Sequence, residues 1–159
     1  MKKKIEAVLE EAAIKTFEDI CFMYVEPELK DSQKDLELEA MTEVKFRGDF
    51  SGKLIVESRG DLVSAVAANM LSNDHPSAKQ KKDALGEVAN IICGNIVPSL
   101  GRRKGKGHKI ESPVFLTKDE LLKEEKGKPL AEVTLNFNQG RAGIKLFVDD
   151  YKPVKEITD

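Results

Sequence analysis

Three polar residues and a glycine recur at steps of four, three and four in the stretch Asp83-Ala84-Leu85-Gly86-Glu87-Val88-Ala89-Asn90-Ile91-Ile92-Cys93-Gly94. A helix turns by about 100° per residue, so Asp83, Glu87, Asn90 and Gly94 would share one narrow stripe, with Leu85, Val88, Ala89, Ile92 and Ile96 on the far side. The chemistry open to that stripe is limited. A carboxamide is too weakly basic to take a proton, yet it both accepts from and donates to a water. Asn90 therefore suits the placing of a water rather than general base catalysis. A helix with one apolar face and this polar one offers its chemistry to something outside the domain. The competing reading is an ordinary solvated face.

The elements around the stripe must fix it in space. Residues 2–24 read as an amphipathic helix, with Ile5, Val8, Leu9, Ala12, Ala13, Phe17, Ile20, Cys21 and Tyr24 at helical spacing. Pro27 and the polar run Lys30–Asp35 form a loop. Leu36 to Phe46 alternates, placing Leu36, Leu38, Ala40, Thr42, Val44 and Phe46 on one side of a half-buried strand. Arg47-Gly48-Asp49 turns it back into a second strand, Phe50–Glu57. Asp61 is a candidate N-cap for a helix over Leu62–Leu71, and Ser72–Ser77 connects to the motif helix from about Lys81 to Ile96, ended by Pro98.

A basic loop, Gly101–Lys109, precedes a short strand at Pro113–Leu116. Thr117–Glu120 reads as a short helix or as a charged excursion. Leu130–Phe137 and Ala142–Val148 form a second hairpin around Asn138-Gln139-Gly140. The predicted order is α-β-β-α-α-β-β-β, and the tight turns between strands favour an antiparallel sheet packed against helices, an α+β fold. A length of 159 residues with 40% apolar content suits a single domain over 1–159, with an ordered core from about 2 to 150 and a short frayed tail after Tyr151.

Composition excludes several classes. The net charge of −2 makes no general case for nucleic acid or an anionic membrane, and seven Phe, two Tyr and no Trp make a poor base-stacking platform. Met1-Lys2-Lys3-Lys4 resembles a signal n-region, but Glu6, Glu10 and Glu11 break the apolar run that a signal needs next, and no apolar run approaches the ~20 residues of a membrane span. A cytoplasmic protein is expected. Cys21 and Cys93 sit in apolar helical patterns and read as small buried hydrophobes. His75 and His108 are isolated, so no metal site of the chain's own is expected.

This order and these residues resemble the chemotaxis phosphatase family that includes CheC and CheX. That family's active helix carries Asp or Ser, three residues, Glu, two residues, then Asn, matched here by Asp83, Glu87 and Asn90 and followed by Ile91-Ile92-Cys93-Gly94-Asn95. Phe17-Glu18-Asp19 is similar to the start of CheX, and the resemblance spans roughly Ile5 to Val148. CheC-type members carry a second motif on the first helix. Here Glu18 is followed by Cys21 where Asn is needed, so the chain is a single-motif, CheX-like member. Pro113 lies one residue beyond the spacing expected for a downstream proline, and the basic loop is where an extra residue fits.

The resemblance implies a protein-aspartyl phosphatase acting on a CheY-like response regulator in chemotaxis signalling, and a homodimer. It implies no cofactor of the chain's own, because Mg²⁺ is bound by the partner receiver. An acyl phosphate already has a good leaving group, so what remains is to place a water in line with phosphorus. Asn90 is assigned that water, and Glu87 the receiver's active-site lysine. Asp83, at the predicted helix start, either favours the helix dipole or touches the partner. Gly86 and Gly94 either leave room for the partner's backbone or permit close packing within the chain. Two other functions compete: a non-catalytic receiver-binding or scaffold module of the same fold, and, more weakly, nucleic-acid binding through Arg102–Lys109. That loop carries no interleaved aromatics and reads as a solvated loop or as a steering charge for an acidic partner.

Overall fold

The computed structural model describes residues 2–27, 35–101, 107–116, 119–120, 127–149 and 151. The chain runs α1 (Lys2–Cys21), β1 (Leu38–Gly48), β2 (Gly52–Gly60), α2 (Leu62–Leu71), α3 (Ala78–Ile96), a 3₁₀ turn at Val97–Leu100, β3 (His108–Ile110), β4 (Val114–Leu116), β5 (Ala131–Phe137) and β6 (Gly140–Val148). The fold is α+β, with one six-stranded antiparallel sheet in the order β3-β1-β2-β6-β5 and β4 also paired to β1.

The helices cover one face of that sheet. From α1, Ile5, Leu9, Ala13, Phe17 and Cys21 enter the core, and Phe17 meets Phe137 of β5 at a ring separation of 4.8 Å. The helix is shorter than its periodicity suggests. It stops at Cys21, Phe22 turns left-handed at φ 54°, and the Asn69 amide donates to the Cys21 carbonyl at 2.9 Å, satisfying one of the terminal acceptors. Tyr24 is consequently exposed rather than part of the buried face.

The predicted single-sided alternation of the first strand needs one correction. A register shift between Leu38 and Ala40 turns Leu38 to the outer face, where it packs with Met41, Ile55, Leu116 and Phe147. A bulge of this kind adds one residue, and a period of two then changes sides. Beyond it, Val44 and Phe46 point to the helices as expected.

Two capping expectations also change. Asp61 occupies the N-cap position of α2, but its side chain makes no cap bond; Ser58 Oγ accepts from Val63 N–H at 3.1 Å instead. The motif helix begins at Ala78, where Ser77 and Gln80 form a reciprocal capping box, so Asp83 lies in the second turn and not at the start.

The last three strands of the predicted order are four. His108–Ile110, its first two residues read from sequence as the end of the basic loop, pairs with Phe46–Gly48, and Val114–Leu116 pairs with Met41–Glu43 on the same edge of β1. A three-residue ladder is too short to announce itself by alternation. The readings for Arg102–Lys106, most of Lys30–Asp35, Thr117 and Lys118, and the tail after Tyr151 lie outside the described residues. Within the described residues, no helix is long and apolar enough to cross a membrane.

Candidate functional site

The site is built from α3 and the edge of β1 with its two short partners. Leu85, Val88, Ala89, Ile92 and Ile96 are fully buried against the sheet, which rotates Asp83, Glu87, Asn90 and Gly94 to the exposed side. The apolar row thus aims the polar one, and the two are set by one pattern.

β3 and β4 behave as one edge strand interrupted at Glu111–Pro113. The Glu111 N–H still donates to Lys45 O at 2.8 Å, and Pro113, which has no N–H, falls in the break. The Pro113 ring sits on Gly86: a Cβ added to that glycine would lie 3.2 Å from Pro113 Cβ. Gly86 is buried, so its missing side chain is used within the chain, by the proline that the resemblance expected downstream of Asn90. The one-residue departure in spacing does not keep Pro113 from the motif helix.

Pro113, Phe115 and Thr42 wall a groove of about 440 Å³ whose other side is Asp83, Glu87 and Asn90. Lys82 stands at its rim with its ammonium 5.6 Å from the centre of the Phe115 ring, within cation–π range. Asp83 pairs with Lys79 at 2.9 Å, an exposed i,i+4 pair worth at most about 0.5 kcal/mol. Five residues into the helix, it gains little from the dipole, which fades within the first turn.

Among the described residues, the side chains of Glu87 and Asn90 carry no hydrogen bond or ion pair. A carboxylate and a carboxamide one turn apart and facing solvent are thus available to an incoming protein. Gly94 is exposed in a smaller hollow of about 250 Å³ beside Val97, Pro98 and Ile110, and a Cβ there would meet nothing closer than Ile110 Cδ1 at 4.0 Å. It is free to admit a neighbour's backbone in a way that Gly86 is not.

Both cysteines are buried beneath this surface or on α1, and burial pushes each thiol up to about 12. Among the described residues, no group of three or more His, Cys, Asp or Glu is arranged to hold a metal ion. Thr42, Phe115 and Lys82 belong to the groove although the motif reading did not include them. The available signal for Thr42 was its polarity inside an otherwise apolar alternation; nothing in sequence brings Lys82 to Phe115.

A family model described as "Chemotaxis phosphatase CheX" matches residues 41–136. The fold is shared with CheX from Vibrio vulnificus (13% identity, TM-score 0.66, covering 94% of this chain and 99% of that one) and CheX from Desulfovibrio desulfuricans (18%, 0.66, 92% and 99%). It is shared as well with the CheX of Borrelia burgdorferi, solved as a CheX-CheY-BeF₃-Mg²⁺ complex (19%, 0.64, 89% and 96%). No curated protein matches the chain.

Proposed function

The chain belongs to the CheX chemotaxis phosphatase family, and on that premise we propose that it hydrolyses the aspartyl phosphate of a CheY-like receiver, with Asn90 placing the water and Glu87 engaging the receiver. One observation carries this reading: Glu87 and Asn90 stand exposed and without described partners on a rigid helix, at the mouth of a groove. The partner's identity is supported by the Borrelia burgdorferi relative, which was solved with CheY.

The chemistry asked of the chain is small. Mg²⁺, held by the receiver, would neutralise charge on the phosphoryl oxygens. Asn90 accepts from and donates to one water, fixing its lone pair along the line of attack and lowering the entropic cost of the encounter. Glu87 accepts a charge-assisted hydrogen bond from the receiver's lysine, which sets the angle between the two proteins. Asp83 and the open backbone at Gly94 extend the contact, while Gly86 contributes by letting Pro113 close the groove wall. The encounter belongs to the cytoplasm, and a homodimer joined through sheet edges is part of the same reading.

The test is loss of phosphate from a panel of phosphorylated receivers with substoichiometric protein. Turnover that disappears in Asn90→Ala supports the mechanism. Stoichiometric binding without turnover makes the chain a receiver-binding module, and full activity in Asn90→Ala removes the proposed role of the amide. Sedimentation of the free protein decides the dimer.

A further inference from the structure

Thr42 is fully buried on β1, and its hydroxyl has no hydrogen-bond partner among the described residues. Buried hydroxyls are rarely left so, because the group has given up water without replacement. Thr42 is registered opposite Val56 on β2 and Phe115 on β4, and it lines the same groove as Glu87 and Asn90. Its backbone is held on both sides by the sheet, so the side chain has one freedom, rotation about χ1.

We propose that Thr42 is a positioning residue of the site: its hydroxyl holds a water at the base of the groove, which in turn orients the Asn90 carboxamide. The inference rests on the phosphatase reading. A water needs at least two polar partners to stay, and Thr42 and Asn90 line facing walls of the groove. A carboxamide alone on an exposed helix face rotates freely and presents oxygen or nitrogen to the reacting water with little preference. Tied from below through one water, it presents the end that the in-line attack requires.

The experiment compares Thr42→Val, Thr42→Ser and Asn90→Ala in receiver dephosphorylation, with kcat and KM separated and thermal unfolding measured in parallel. Thr42→Val keeps the shape and removes the hydroxyl. Its kcat is expected to fall about tenfold, the worth of one hydrogen bond made in the transition state, with KM unchanged and the melting temperature equal or higher. Thr42→Ser is expected to restore kcat. A Thr42→Val protein with the parent kcat overturns the inference, leaving Thr42 as a core residue. Should that variant not fold, Thr42→Cys replaces it with the same two outcomes. Full activity in Asn90→Ala overturns the role of the amide on which this inference rests, and a parent protein that binds receivers without turnover overturns the phosphatase reading itself. An inactive Asn90→Ala beside a fully active Thr42→Val overturns only the role of Thr42.

Discussion

The helices α1 and α3 lie on the same face of the sheet and carry the same spacing of a glutamate and a residue three further on, Glu18 with Cys21 and Glu87 with Asn90. In α1 the second position is fully buried; in α3 it is exposed. On α1 the core row Ile5, Leu9, Ala13, Phe17 and Cys21 climbs in steps of four and takes Cys21 with it. On α3 the core row is Leu85, Val88, Ala89, Ile92 and Ile96, which leaves Asn90 on the opposite side. Spacing therefore says which residues share a face, and the apolar row says which face that is. The surroundings differ as well. Glu18 lies on a charged helix surface with Glu11, Lys15 and Asp19, whereas Glu87 faces Pro113 and Phe115 from a strand edge. Among the described residues, only α1 itself lines the surface beside Glu18, so no strand wall orients what would bind there.

The sharpest way to break this comparison is Asn90→Ala. It is expected to slow receiver dephosphorylation at least a hundredfold, about 2.7 kcal/mol of barrier, with circular dichroism and melting unchanged because the side chain is exposed. Activity at the parent level would make the two helices equivalent. The reciprocal change, Cys21→Asn, places an amide in the core without a partner. Urea unfolding is expected to show a loss of about 2 kcal/mol, and no phosphatase activity is gained in an Asn90→Ala background. A stable, active double variant would show that α1 turns outward readily.

Glu87→Ala is expected to raise KM for the phosphorylated receiver about tenfold with a smaller change in kcat, since a charge-assisted bond to the partner is lost. Glu18→Ala should change neither. Gly94→Ala is a finer probe: with open space at its Cβ, helix propensity should raise stability by about 0.5–1 kcal/mol while receiver binding weakens. Gly86→Ala gains less stability because the added carbon crowds Pro113.

A further expected effect is common to both helices. Burial pushes the native thiols of Cys21 and Cys93 up to about 12, against 9.0 for an unperturbed thiol. Above pH 9.0 the unfolded chain binds fewer protons than the native one, so stability falls as pH rises from 9.0 toward about 12. At pH 8 neither thiol should react with an aromatic disulfide reagent until urea unfolds the protein. Rapid labelling of one cysteine under native conditions would show that its helix opens locally.

The sequence by itself determined the polar stripe, the buried row behind it, the α+β order up to the motif helix and the second hairpin, because each depends on a period of 3.6 or 2 that survives in a single chain. Glu87 and Asn90 were legible for that reason. Only the tertiary structure decided that His108–Ile110 joins the sheet, that Leu38 faces outward, that Asp83 sits a turn inside its helix, and that Pro113, Phe115 and Thr42 meet the motif. Those facts depend on a strand edge, a register shift, a cap and a groove wall. Each is made by residues far apart in the chain, whose approach is fixed by packing and hydrogen bonding rather than by any local period.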